Sequence, residues 1–167
     1  MWKSCAGFVA FVFVQFASAA VAQDTSPVSA HFQQYTAALE RGDFVAAESA
    51  ASAALAASEQ RDGDAGRTPV LAFNLARARV ALGQWQEASA PARRAYEVSR
   101  GGGASGLDPA TSALLWGRVR LSLEGFRAAG FLAGLLDRSS EREDLLADRY
   151  DAAEQLGLWA MQTNNHL

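Results

Sequence analysis

The chain has 167 residues, enough for one domain behind a targeting segment. Half of them are hydrophobic and a fifth charged, which excludes a disordered chain. A formal net charge of -3 offers no basic footprint for general nucleic-acid binding. Lys3 is the only Lys and Cys5 the only Cys, and His31 and His166 are the only His. That leaves little material for a metal site, a bound cofactor or a His-based catalytic centre.

Residues 1–22 read as an address. Met1-Trp2-Lys3 is a short positive start, Cys5 to Ala22 is an apolar run, and Ala20 and Ala22 form a small-residue cleavage pattern before Gln23. The expectation is a cleaved signal peptide, a domain spanning residues 23–167, and a periplasmic or secreted product. Membrane contact is then confined to the segment that is removed. The competing reading is an uncleaved inner-membrane anchor, because the run is near the lower length limit for crossing a bilayer. The processed chain would hold no Cys, so no disulfide is available to it.

Beyond residue 22, Ala supplies 30 of 145 residues, Val six and Ile none, a composition that favours helix over strand. A 41-residue period organises this region. Phe44, Trp85 and Phe126 recur at that spacing, as do Ala47, Ala88 and Ala129, and Phe32, Phe73 and Leu114. Each unit reads as two helices: residues 29–41 and 44–60, then 69–82 and 85–99, then 109–123 and 126–138. Gly42 and Gly83 stand where a left-handed terminal residue is needed. Thr68-Pro69 and Asp108-Pro109 each place a capping side chain before a Pro at the first helical position. Pro91 falls inside the second helix of the second unit and predicts a bend there. Residues 148–162 read as a final helix, after which the chain stops where the partner of that helix would begin.

Other signals are weak. Asp62-Gly63-Asp64-Ala65-Gly66 lacks the Glu that closes a calcium loop and reads as a polar linker. Gly101 to Gly106 follows a helix, not a strand, and reads as a connector instead of a phosphate loop. Glu141, Glu143 and Asp144 suit a helix start through the dipole alone. Trp116 and Trp159 read as packing residues.

The segments Asn74-Leu75-Ala76 and Leu82-Gly83-Gln84-Trp85, followed by Ala88 and Ala95, resemble the tetratricopeptide repeat. The period of 41 is similar to that of the longer variants of that family. The resemblance implies an all-α right-handed solenoid of about three helix-turn-helix repeats plus a terminal helix, acting as a non-catalytic module that binds a partner protein or peptide. It is also similar to the helical-repeat front part of some bacterial TonB-like energy-transducer proteins. This keeps open a second role, as an accessory subunit or fragment of an envelope machine packed permanently on a partner. Family ligand positions fall here on Phe32, Phe73, Asn74, Arg77, Leu114 and Arg118. The resemblance thus implies an apolar groove floor (Phe32, Phe73, Leu114), a backbone-bonding Asn74, and an Arg77–Arg118 pair. Arg forks suit carboxylates, so the expected guest is an acidic or C-terminal segment. Arg79 and Arg120 are expected to cover helix seams with their stems.

Overall fold

The computed structural model describes residues 26–63, 66–101 and 106–164. The proposed signal segment and its cleavage site, the centres of the two linkers, and His166 lie outside them. Within the described residues the chain is all helical. The α-helices are α1 Pro27–Glu40, α2 Phe44–Asp62, α3 Thr68–Ala81, α4 Trp85–Arg100, α5 Pro109–Glu124, α6 Phe126–Arg138 and α7 Leu146–Asn164, with a 3-10 turn at Glu143–Leu145. None of these helices is long and apolar enough to cross a membrane.

Local chemistry accounts for the boundaries. Asp43 accepts the backbone N–H of Ala46 at 3.0 Å, and Asp108 accepts those of Ala110 at 2.6 Å and Thr111 at 3.1 Å, so both cap their helices. Ser26 caps α1 in the same way and starts it at Pro27, two residues earlier than the sequence suggests. Thr68 departs from expectation. It is the first residue of α3 and fully buried, and its hydroxyl pairs with that of Ser58 at 2.9 Å instead of capping. Burial of a hydroxyl requires a partner, and Ser58 at the end of α2 is the one in reach. Ser99 repeats the arrangement in α4, pairing with Ser112 of α5 at 2.6 Å.

Each helix packs on its neighbours in the chain, and α3 also touches α5, as α5 does α7. Three larger apolar clusters lie along the row: one where α1, α2 and α3 meet, one among α3, α4 and α5, and one among α5, α6 and α7; a smaller one of Val28, Ala54 and Leu71 lies beside the first. Ala47, Ala51 and Ala54 of α2, and Ala88, Ala92 and Ala95 of α4, are all buried. Their small side chains let the paired helices cross closely.

The period slips in the third unit. The buried residues of α6 are Ala128 and Leu132, which follow Ala88 and Ala92 by 40, not 41. Ala129, the residue at 41, is only partly buried. The cause is the turn. Residues 41–43 and 82–84 join the first two pairs, whereas Gly125 alone joins α5 to α6, at φ 55°. A left-handed backbone of this kind suits glycine. The slip turns Phe126 outward, where it is 85% exposed, against 41% for Phe44. The expectation of three equivalent rings therefore holds for Phe44 and Trp85, which line one cavity, and fails for Phe126. By its face, the position equivalent to Trp85 is Gly125. Trp159 of α7 covers it, with its indole nitrogen 3.4 Å from where a Cβ on Gly125 would lie.

α4 runs through Pro91 without a break, and Pro91 is buried. Proline has no N–H to offer the Glu87 carbonyl four residues back. Arg79 supplies the missing donor: its Nη1 donates to the Glu87 carbonyl at 2.9 Å, while its Nε donates to Glu48 at 3.0 Å. One repeat later, in the slipped register, Phe131 stands where Pro91 does, and it brings its own N–H. Arg120 is correspondingly released to pair with Glu124 and lie 5.2 Å from the Phe131 ring centre. Both arginines are largely covered, as expected of seam residues. Arg79→Ala is expected to cost about 0.5–1.5 kcal/mol, and less in a Pro91→Ala background, where the restored backbone N–H satisfies the carbonyl. A double-mutant cycle by urea denaturation measures the coupling, and an equal cost in both backgrounds would contradict this role.

Candidate functional site

The second halves of α1 and α3, the middle of α5, the starts of α2 and α4, and Asp151 of α7 line an open cavity of about 300 Å³. Tyr35, Phe44 and Trp85 give it aromatic walls, and Arg77, Arg118 and Asp151 give it charge. The periodicity explains the convergence, because Arg77 and Arg118 are one repeat apart on adjacent helices. The structure thus brings the two arginines together but puts them in different states.

Arg118 is engaged. Its Nη1 donates to Asp151 at 3.0 Å and its Nε to the Gln155 side-chain oxygen at 3.2 Å, while Gln155 donates back to the Arg118 carbonyl at 3.0 Å. Asp151 and Gln155 belong to α7, so the chain's own last helix supplies the carboxylate at this end. Arg77 is exposed. Its guanidinium lies 5.8 Å from the Phe73 ring centre, a distance at which the ring face attracts a cation, and it has no ion-pair partner among the described residues.

The remaining residues that the resemblance singled out lie elsewhere. Phe73 and Leu114 are 5% and 1% exposed and belong to the packed clusters, so they cannot floor an open groove. They turn inward because α3 and α5 each pack on both flanking helices and have little free face. Phe32 is exposed near the start of α1 and borders a second hollow with Val28, Arg67 and Val70. Asn74 is half-buried on α3. The floor of the cavity is made instead by Leu39, Val80 and Leu115. Sequence reading missed Asp151 and Gln155 as partners of Arg118. The signal was present: Asp148, Asp151 and Gln155 recur at i, i+3 and i+7, one face of a helix.

The field of the two arginines reaches further. Burial raises the Tyr35 hydroxyl pKa above its ordinary value, against the opposing pull of Arg77. Burial likewise raises Asp148; Asp151 adds to that shift, and Arg77 and Arg118 oppose it. A carboxyl whose folded pKa is raised penalises the folded state only where it is charged. The penalty is absent below the unfolded pKa and grows as pH rises through the folded one. Asp148→Asn is therefore expected to raise Tm at pH 7 and to leave it unchanged near pH 3. Melting curves at both pH values check this, and a lower Tm at pH 7 would show that the arginine attraction dominates.

Among the described residues, no group of three or more metal-ligating side chains converges. No protein-family model, no curated protein and no solved structure matches the chain.

Proposed function

We propose that this chain is an exported, non-catalytic interaction module. In this reading its helix pairs form a tetratricopeptide-like right-handed stack, and the Arg77 cavity receives a carboxylate-bearing segment of a partner protein or peptide. The observation that carries the reading is the asymmetry of the two arginines. Arg118 already holds a carboxylate and an amide from α7, a pattern that a bound acidic segment would reproduce at Arg77. The aromatic walls at Tyr35, Phe44 and Trp85 supply apolar contact beside the charge. Export follows from the signal-like residues 1–22. N-terminal sequencing of the product is expected to begin at Gln23, and a product beginning at Met1 would favour the anchored form.

The test of the cavity is a titration of the full chain with a short peptide whose only carboxylates are those of a C-terminal Asp, and with the same peptide ending in Asn amide. The reading expects binding of the free acid, weakened by Arg77→Ala through loss of a charge-assisted bond of about 1.5–3 kcal/mol. Equal binding of acid and amide, or binding unaffected by Arg77→Ala, would overturn it.

One observation favours the second reading, permanent packing on a larger envelope partner. Phe126 of α6, and Leu146, Tyr150, Leu158 and Met161 of α7, are all exposed. A stoichiometric partner recovered from a membrane extract, and lost with Leu158→Glu and Met161→Glu but not with Arg77→Ala, would favour it.

A further inference from the structure

A second cavity, of about 280 Å³, lies where the C-terminal ends of α4 and α6 meet the first turn of α5. Three guanidinium groups border it, those of Arg100, Arg138 and Arg142, in a protein whose overall charge is negative. Their states differ. Arg142 is committed, bonded to Asp108 and to Asp144 at 2.7 Å each, and its hydrogen bond holds the Asp108 carboxyl below the ordinary carboxylate range. Arg100 and Arg138 are exposed and have no carboxylate partner among the described residues.

Both are nevertheless oriented. The Arg100 guanidinium lies 5.7 Å from the Tyr96 ring centre. The Arg138 guanidinium folds back over Gly134, where a Cβ would come within 3.2 Å of its Nη1. Between them, Tyr96 and Phe131 stand edge to face with ring centres 6.4 Å apart. Two planar forks beside an aromatic floor match a ligand that carries a tetrahedral phosphate anion on a compact organic body.

We propose that this cavity is a phosphate-binding site, with Arg100 and Arg138 as the anion's partners and the Tyr96–Phe131 pair beneath the rest of the ligand. Arg142 stays with Asp108, where it steadies the cap of α5. The site is separate from the Arg77 cavity and stands whether or not that cavity binds peptides. The phosphate can belong to a soluble phosphorylated compound or to a lipid headgroup, and the two sources separate in the test.

The full chain, with its arginine side chains isotopically labelled, is titrated with glucose 1-phosphate and, separately, mixed with phosphatidylglycerol vesicles for flotation. The site predicts saturable shifts of the Arg100 and Arg138 Nε–H signals, with Arg77 unmoved. In the Arg100→Gln, Arg138→Gln double variant, affinity is expected to fall about tenfold or more. Both positions are exposed, so an unchanged melting curve confirms that the variant folds. Saturable glucose 1-phosphate binding without flotation identifies a soluble ligand, and flotation lost in the variant identifies a headgroup. Shifts common to all exposed arginines, or binding that survives in the variant, would overturn the proposal, as would no response in either arm.

Discussion

Replacing Leu114 with Ala is expected to cost about 2–5 kcal/mol of stability, the range for truncating a fully buried leucine. The side chain is 1% exposed and joins Leu121, Leu132 and Ala152 in the cluster that ties α5 to α6 and α7. Truncation removes contacts on three helices at once, and a close-packed row of helices has little freedom to collapse into the gap. As the floor of an open groove, the same residue would cost well under about 1 kcal/mol to truncate. Urea denaturation followed by far-ultraviolet circular dichroism separates the two outcomes. Phe32→Ala, on the exposed edge of α1, serves as the contrast and is expected to change stability little.

The second large effect concerns two aromatic residues whose roles the structure exchanges. Trp159→Ala is expected to lose about 2–3 kcal/mol, somewhat less than a fully buried Trp because the ring is only partly buried. Its indole covers Gly125 and packs beside the third cluster, so its loss frees the middle of α7 from α5. Phe126→Ala, at the position that the 41-residue period marks as equivalent to Trp85, is expected to stay within about 0.5 kcal/mol of the parent. Thermal melts of the two variants decide it. Loss on Phe126→Ala comparable to that on Trp159→Ala would mean that α6 keeps the register of α2 and α4.

These two predictions mark where the sequence was legible and where it was not. Ala-rich composition and paired glycines at Gly42 and Gly83 announced helices and turns, and α6 begins and ends where its periodicity placed it. The positions of Ala47 and Ala88 showed the buried face of α2 and α4, because helix pairs that cross closely admit only small residues there. The slip in the third unit was hidden by coincidence: Ala128 and Ala129 are adjacent, so an alanine appears at either spacing. The glycine offered the missing clue. Gly125 aligns with Asp43 and Gln84, not with Gly42 and Gly83, and a left-handed turn displaced by one residue rotates the following helix by about 100°.

The site was legible to the same extent. Repetition of Arg77 and Arg118 at 41 residues brings them to one cavity, since these equivalent positions of α3 and α5, which touch, face the same way. Sequence alone gives no distances between helices, so it could not distinguish the arginine already held by Asp151 and Gln155 from the one that is not. Phe73 and Leu114 share the helices of these arginines but point to the packed side, a matter of facing that only the flanking helices decide. Arg79 was recognisable as a seam residue from its long stem. Its bond to the Glu87 carbonyl needed the placement of Pro91 one helix away.

The central claim is that α7 closes the Arg118 end of the cavity and leaves the Arg77 end open. Hydrogen exchange of the arginine Nε–H groups, read by nuclear magnetic resonance on the full chain, tests it most directly. The Arg118 Nε–H, donated to Gln155, should exchange slowly and the Arg77 Nε–H at the rate of a solvated side chain. Equal rates for the two groups, or α7 backbone amides exchanging as in an unfolded chain, would contradict it.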